Sequence, residues 1–210
     1  MTPQDKGFFC QVLASLFYPP DRELVRQIGR GTLHTYFGGN RSYWGGPPET
    51  LEGFVLNDNE GDPGEDLKKE YNRLFSGLSG ESACPVESFY KPWTRDTSCS
   101  LSFVSQKGLL MGDSALHLLY LYRESGLEIS EDYGTYPDHV GMELEFLSHL
   151  FERATDMEIK RFIDDHLDWV PLLKERANRF SPHPFYKSAL DVADLFLDQE
   201  RKRLEVDRHG

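Results

Sequence analysis

The sequence predicts an all-α fold of roughly ten helices. Apolar residues recur at three- and four-residue spacing along most of the chain, and residues that start helices stand where these stripes begin. The one alternating stretch, "SLSFVS" at 100–105, is short and has no evident partner strand.

The first helix lies in "MTPQDKGFFCQVLASLFYPPDREL". There Phe8, Val12 and Leu16 follow helical spacing, as do Phe9, Leu13 and Phe17. The segment lacks a basic leader, and Cys10, Gln11 and Ser15 interrupt its apolar positions, so it reads as an amphipathic helix and not an export signal. "GGNRSYWGGPPE" and "NDNEGDPGED" are rich in glycine, proline and acids and are expected to be loops. Leu67, Tyr71, Leu74 and Phe75 mark a helix over "EDLKKEYNRLF". Residues 76–108 form a long connection without helical pattern, and its aromatics (Phe89, Tyr90, Trp93, Phe103) imply that it packs on something.

A further helix carries Leu116, Leu119, Tyr120 and Arg123 and opens at "GDS", where Asp113 or Ser114 can cap its free amides. Asp138, directly after Pro137, is the expected N-cap of the next helix. Val140, Leu144, Leu147 and Phe151 form its stripe, widened by Phe146 and Leu150. Phe162, His166 or Leu167, Val170 and Leu173 continue the pattern, with Pro171 starting a new helix or kinking the old one. The last helix runs from about Pro184, and "VDRHG" beyond it is expected to fray.

The 35 acidic against 23 basic residues give a net charge of -12, which argues against nucleic-acid binding and favours a basic partner or plain solubility. Three widely spaced cysteines, Cys10, Cys84 and Cys99, contain no C-x-x-C and fit a reducing compartment. No apolar run approaches the ~20 residues of a membrane span. The expected location is the cytoplasm.

Motifs for chemistry are sparse. No Glu-x-x-His pair suits a di-iron bundle, and no two histidines stand three or four residues apart. His139 with Glu143, and Glu145 with His149, are each spaced to chelate one ion. There is no nucleophile elbow, Walker loop or dinucleotide fingerprint. What remains is a crowd of acids: Glu124, Glu128, Glu131, Asp132, Asp138, Glu143 and Glu145. A carboxylate in a partly dry groove grips a guanidinium through two parallel hydrogen bonds, and flanking aromatics and leucines can receive an apolar segment. The alternative for these acids is structural, as a helix cap at Asp138 and as pairs with Arg153 or His149.

Five blocks in order, "EYNRLFSG" at 70–77, "CPVESFY" at 84–90, "GDSALHLLYLYRESGL" at 112–127, "YPDHVGMELEFLSHL" at 136–150 and "HPFYKSALDVADLFLDQE" at 183–200, resemble the TorD/DmsD family of redox-enzyme maturation chaperones. The resemblance spans about residues 8–200. It implies one TorD-like helical domain over 1–210, with an N-terminal part to about 77 and a C-terminal part over about 109–205. It also implies a cytoplasmic protein that is not an enzyme and needs no cofactor or metal. Such a protein binds the twin-arginine leader, the body, or both, of a precursor in the DMSO reductase superfamily of molybdopterin oxidoreductases. It assists cofactor insertion and delays export. Carried over by position, the leader site centres on Asp138 and His139, with Gly112, Asp113, Glu87, Ser88 and Tyr90. Glu143, one turn below His139, either fixes its tautomer or supplies a second carboxylate. Val86-Glu87 stands where some relatives have an aromatic-glycine pair, which puts the role of Glu87 in question. A metal- or nucleotide-dependent hydrolase on the same helices, and a scaffold without leader specificity, are the competing readings. A homodimer that exchanges halves through 76–108 is also compatible with the sequence.

Overall fold

The computed structural model describes residues 1–55, 62–76, 82–129 and 136–206. Among these it contains ten α-helices and no strand, only two isolated bridges, Val86 with His139 and Pro92 with Lys107. Within the alternating stretch at 100–105, residues 102–105 form turns.

Helix α1 (Pro3–Ser15) begins with a capping box: the Thr2 hydroxyl accepts from the Asp5 amide while the Asp5 carboxylate accepts from the Thr2 amide. Phe9 and Leu13 are buried along it and Phe17 just beyond, while Phe8 faces outward at 55% exposure. The first of the two expected stripes is therefore partly a solvent face. α2 (Arg22–Gly29) is capped by Asp21, and α3 (Thr32–Gly39) follows after Gly31 at φ +67°.

The region expected to be a loop at 38–49 folds instead into the short helix α4 (Arg41–Trp44) and the start of a 3-10 helix at Pro48–Phe54. The reason is tertiary. Trp44 is fully buried and donates its indole N–H to the Phe37 carbonyl at 2.9 Å, and Gly45 at φ +76° stops the turn. Gly53 in the 3-10 helix lies so close to the backbone of Pro184 that a Cβ would stand 2.0 Å from its carbonyl oxygen. α5 (Pro63–Phe75) starts at Pro63, inside the second expected loop, because Asp62 caps it and Pro63 suits its first position.

After α5, the described part of the long connection (82–108) has only a 3-10 turn at Glu87–Phe89. α6 (Asp113–Glu124) buries Ala115, Leu118 and Tyr122 and turns Leu116 and Tyr120 outward. Gly112 is its N-cap, without a side-chain bond, so neither Asp113 nor Ser114 caps it as expected. α7 (Val140–Arg153), α8 (Asp156–His166), α9 (Val170–Asn178) and α10 (Pro184–Val206) complete the chain. Pro171 lies in the first turn of α9, so it starts a helix rather than kinking one.

α1 lies along α7, and α10 packs on the 3-10 helix, α9, α8 and α4. One core joins them, with Phe9 stacked on Phe196 at 4.7 Å and Phe37 on Phe54 at 5.0 Å. Buried Lys6 of α1 forms an ion pair with Glu200 of α10 at 3.1 Å, its ammonium 5.4 Å from the ring centres of both Tyr43 and Phe151. No helix is long and apolar enough to cross a membrane among the described residues.

Candidate functional site

The site is built where the connection meets the start of α7. Val140 donates its amide to the Pro85 carbonyl at 2.9 Å, and Glu87 donates its own to the Asp138 carbonyl at 2.8 Å. These bonds lay 85–88 across the helix mouth like one rung of a sheet. Asp138 then closes the rung, its Oδ2 accepting from the Ser88 amide at 2.8 Å and from the Ser88 hydroxyl.

That use of the carboxylate explains why Asp138 is not the N-cap. The cap is His139, whose Nδ1 accepts from the Gly141 amide at 3.1 Å. An imidazole accepts there only while neutral, and burial lowers the pKa of His139 to about 4. Its ring stacks on Tyr18 at 5.3 Å, 10° from parallel. Gly141 makes room for this, since a Cβ there would stand 2.7 Å from the Tyr18 ring.

Glu143 neither fixes the His139 tautomer through its resolved hydrogen bond nor reaches solvent. Its Oε2 accepts from the Trp169 indole at 3.0 Å, and Trp169 stacks on Tyr90 at 5.1 Å. Glu87 is fully buried, paired with Lys91 at 2.5 Å and with His166 Nδ1 at 3.1 Å. Lys91 also reaches Asp168 at 2.5 Å and the Asp165 carbonyl at 2.6 Å.

Glu87, Asp138 and Glu143 thus form a buried carboxylate cluster beside Lys91. Burial pushes the pKa of Asp138 up against the two Ser88 bonds, with Glu87 adding to the rise. Burial also raises that of Glu143 well above its ordinary value, followed by the charges of Glu87 and Asp138. Asp138 Oδ1, Glu143 Oε1 and the Tyr90 hydroxyl are buried without a hydrogen-bond partner among the described residues.

Of the eight sequence-derived residues, six therefore converge: Glu87, Ser88, Tyr90, Asp138, His139 and Glu143, all nearly or fully buried. They do not line an open groove. Gly112 and Asp113 hold a different stretch of the connection. The Asp113 amide donates to the Trp93 carbonyl at 2.8 Å, and its carboxylate accepts from the Thr94 hydroxyl at 2.6 Å and the Arg95 amide at 3.0 Å. A Cβ on Gly112 would stand 2.4 Å from the Trp93 carbonyl oxygen, so only glycine allows that approach.

Lys91, His166, Trp169 and Tyr18 belong to the cluster but carry no motif of their own. The readable signals are the four-residue spacing of Glu87 and Lys91 and the place of His166 in the apolar stripe that begins at Phe162. Glu131 and Asp132, in the expected acid crowd, lie outside the described residues. Glu124 lines a groove of about 510 Å³ between α6, α7 and α8, and Glu128 and Glu145 line another of about 400 Å³. The two local chelating pairs are engaged elsewhere: Glu143 with Trp169, and His149 with Arg153 and the Phe146 ring. Among the described residues, no group of three or more His, Cys, Asp or Glu side chains is placed to hold a metal ion.

The architecture has counterparts. The crystal structure of a redox enzyme maturation protein from Archaeoglobus fulgidus matches with a TM-score of 0.52, covering 98% of this chain and 94% of that one at 22% identity. In sequence, the chaperone protein TorD of Vibrio cholerae serotype O1 is 26% identical over 152 residues, and that of Vibrio vulnificus 25% over 149. These alignments cover 67% and 64% of this chain, and the chain spans 63% of the length of each relative. A protein-family profile described as nitrate reductase delta subunit matches residues 44–180. That match takes in the connection, the carboxylate cluster and helices α5 to α9, and the chain belongs to this family, the family of the TorD chaperones.

Proposed function

We propose that this chain is a cytoplasmic chaperone for the precursor of a molybdopterin oxidoreductase of the DMSO reductase superfamily, binding its twin-arginine leader, its body, or both. In this reading it assists cofactor insertion and delays export. The relatives carry chaperone names, and among the described residues the side-chain geometry gives a hydrolase no support. We take residues 1–210 as one domain, since α1 packs on α7 and α10 packs on both the 3-10 helix and α8.

The observation that carries leader recognition is the Asp138 carboxylate, with one oxygen bonded to Ser88 and the other unpartnered among the described residues. A guanidinium offers two parallel N–H donors and satisfies both oxygens of a carboxylate at once. With Asp138 only 1% exposed, the leader has to lift 85–88 off the helix mouth, exchanging the Ser88 bonds for its own. Glu87 adds negative charge to the opened site. Gly112 and Asp113 hold Trp93 to Arg95 in place, so the connection opens at one end only.

The test is fluorescence anisotropy with a labelled twin-arginine leader peptide, its twin-lysine version, and Asp138→Asn protein. Binding of the arginine peptide, weakened at least about tenfold by either change, is the expected result, since each loses a charge-assisted bidentate contact of about 1.5–3 kcal/mol. Equal binding of both peptides to both proteins would remove Asp138 from recognition. A pull-down from anaerobic lysate that recovers one unprocessed molybdopterin-binding subunit would identify the client.

A further inference from the structure

A chain of hydrogen bonds leads from the buried cluster to the open groove between α6, α7 and α8. Glu87 Oε2 is 3.1 Å from His166 Nδ1, and His166 Nε2 is 2.8 Å from His117 Nδ1. His166 is 2% exposed, whereas His117 lies on the groove wall.

Bond direction fixes the tautomers. The Glu87 carboxylate already holds the Lys91 ammonium at 2.5 Å, so it accepts and His166 Nδ1 donates. In a neutral ring, His166 Nε2 is then the acceptor, and His117 Nδ1 must donate to it. That leaves His117 Nε2 as a bare lone pair on the groove side. Burial, followed by the charge of His166, lowers the pKa of His117, which keeps the ring neutral near pH 7.

We propose that His117 and His166 form a proton wire through which the buried carboxylate cluster exchanges protons with the groove. A proton from solvent bonds to His117 Nε2. The His117 Nδ1–H bond then breaks as its proton passes to His166 Nε2. His117 ends neutral with the proton on Nε2, and His166 ends as an imidazolium held by Glu87. One positive charge has moved to the edge of the cluster without exposing it.

Other charges face this path. On α8, Arg161 opposes protonation of His117 and Asp165 favours it. His149 and Arg153 of α7 and Glu124 of α6 share the groove wall. Behind His166, Lys91 competes for Glu87 and is itself shared with Asp168. A ligand seated in the groove covers His117 Nε2 and closes the wire, so groove occupancy and the charge of the cluster become linked.

The experiment is imidazole nitrogen NMR on the full chain between pH 5 and 8.5. Both rings are expected in the Nδ1–H form at high pH, the minor form of free histidine. In His117→Gln, which removes the imidazole donor to His166 Nε2, the His166 Nε2 resonance should shift. An Nε2–H tautomer at either ring, or an unmoved His166 Nε2 resonance in the variant, overturns the wire. His117 is exposed, and thermal unfolding checks that the variant is folded. Should it not fold, the wild-type tautomers alone decide.

Discussion

Ser88 and Asp138, fifty positions apart, are joined by two hydrogen bonds to a single carboxylate oxygen, and this pair fastens the connection to the mouth of α7. Ser88→Ala removes the hydroxyl bond and keeps the amide one. Because the acceptor is a carboxylate, the expected loss is about 1.5–3 kcal/mol. Urea unfolding should show a lower midpoint with an unchanged slope, and hydrogen exchange should speed up at residues 87–88. Wild-type exchange at those amides would mean that the backbone rung holds without Ser88.

The cap at His139 has a pH signature. Its folded pKa of about 4 lies below the ordinary 6.5, so the unfolded chain binds the extra proton first. Stability is then fully present above about 6.5 and is lost as pH falls toward 4, by on the order of 3 kcal/mol. His139→Asn keeps a capping acceptor and removes the titration. Its unfolding free energy should fall less steeply than wild type between pH 6.5 and 4, and equal slopes would exclude a neutral His139 cap.

Glu143 works in the opposite direction. Burial raises its folded pKa, so the fold holds the proton longer than the unfolded chain does. Its contribution is present below the ordinary carboxylate range and is lost as pH rises. Glu143→Gln resembles the protonated form and can still accept from Trp169. It should stabilise the protein at pH 8 by about 1–3 kcal/mol and do little at pH 4. A loss of stability at pH 8 would show that the charged form is the one the fold uses.

Gly53→Ala tests the contact of the 3-10 helix with α10. The added methyl would sit 2.0 Å from the Pro184 carbonyl oxygen and 2.6 Å from the Ser188 hydroxyl, so the backbone must move. The expected cost is about 1–3 kcal/mol, the range for overpacking. A thermal midpoint within a degree of wild type would mean that the two segments part easily.

Most helices were legible because their stripes are local. The stretches over Leu67 to Phe75 and Val140 to Phe151 bury the residues their spacing marks. α4 was not legible, because one turn has too little period to read, and what holds it is Trp44 in a distant core. The stripe chosen for α6 was only partly right, since Leu116 and Tyr120 look apolar in sequence yet face out. Asp138 was expected to cap because aspartate caps well in general. Ser88 claims its carboxylate, and no local spacing announces a partner fifty residues away. The same holds for Glu143, whose bond to Trp169 links α7 to the start of α9.

The pairing of Lys6 with Glu200 has a consequence for synthesis on the ribosome. α1 is made before α10, yet its buried ammonium finds its carboxylate only once residue 200 has left the exit tunnel. Until then Lys6 keeps its charge in water, and α1 has no reason to bury that face. Closure of the core thus waits on translation of α10, and a nascent chain stopped short of it should remain open to proteases however much of α7 and α8 it already carries.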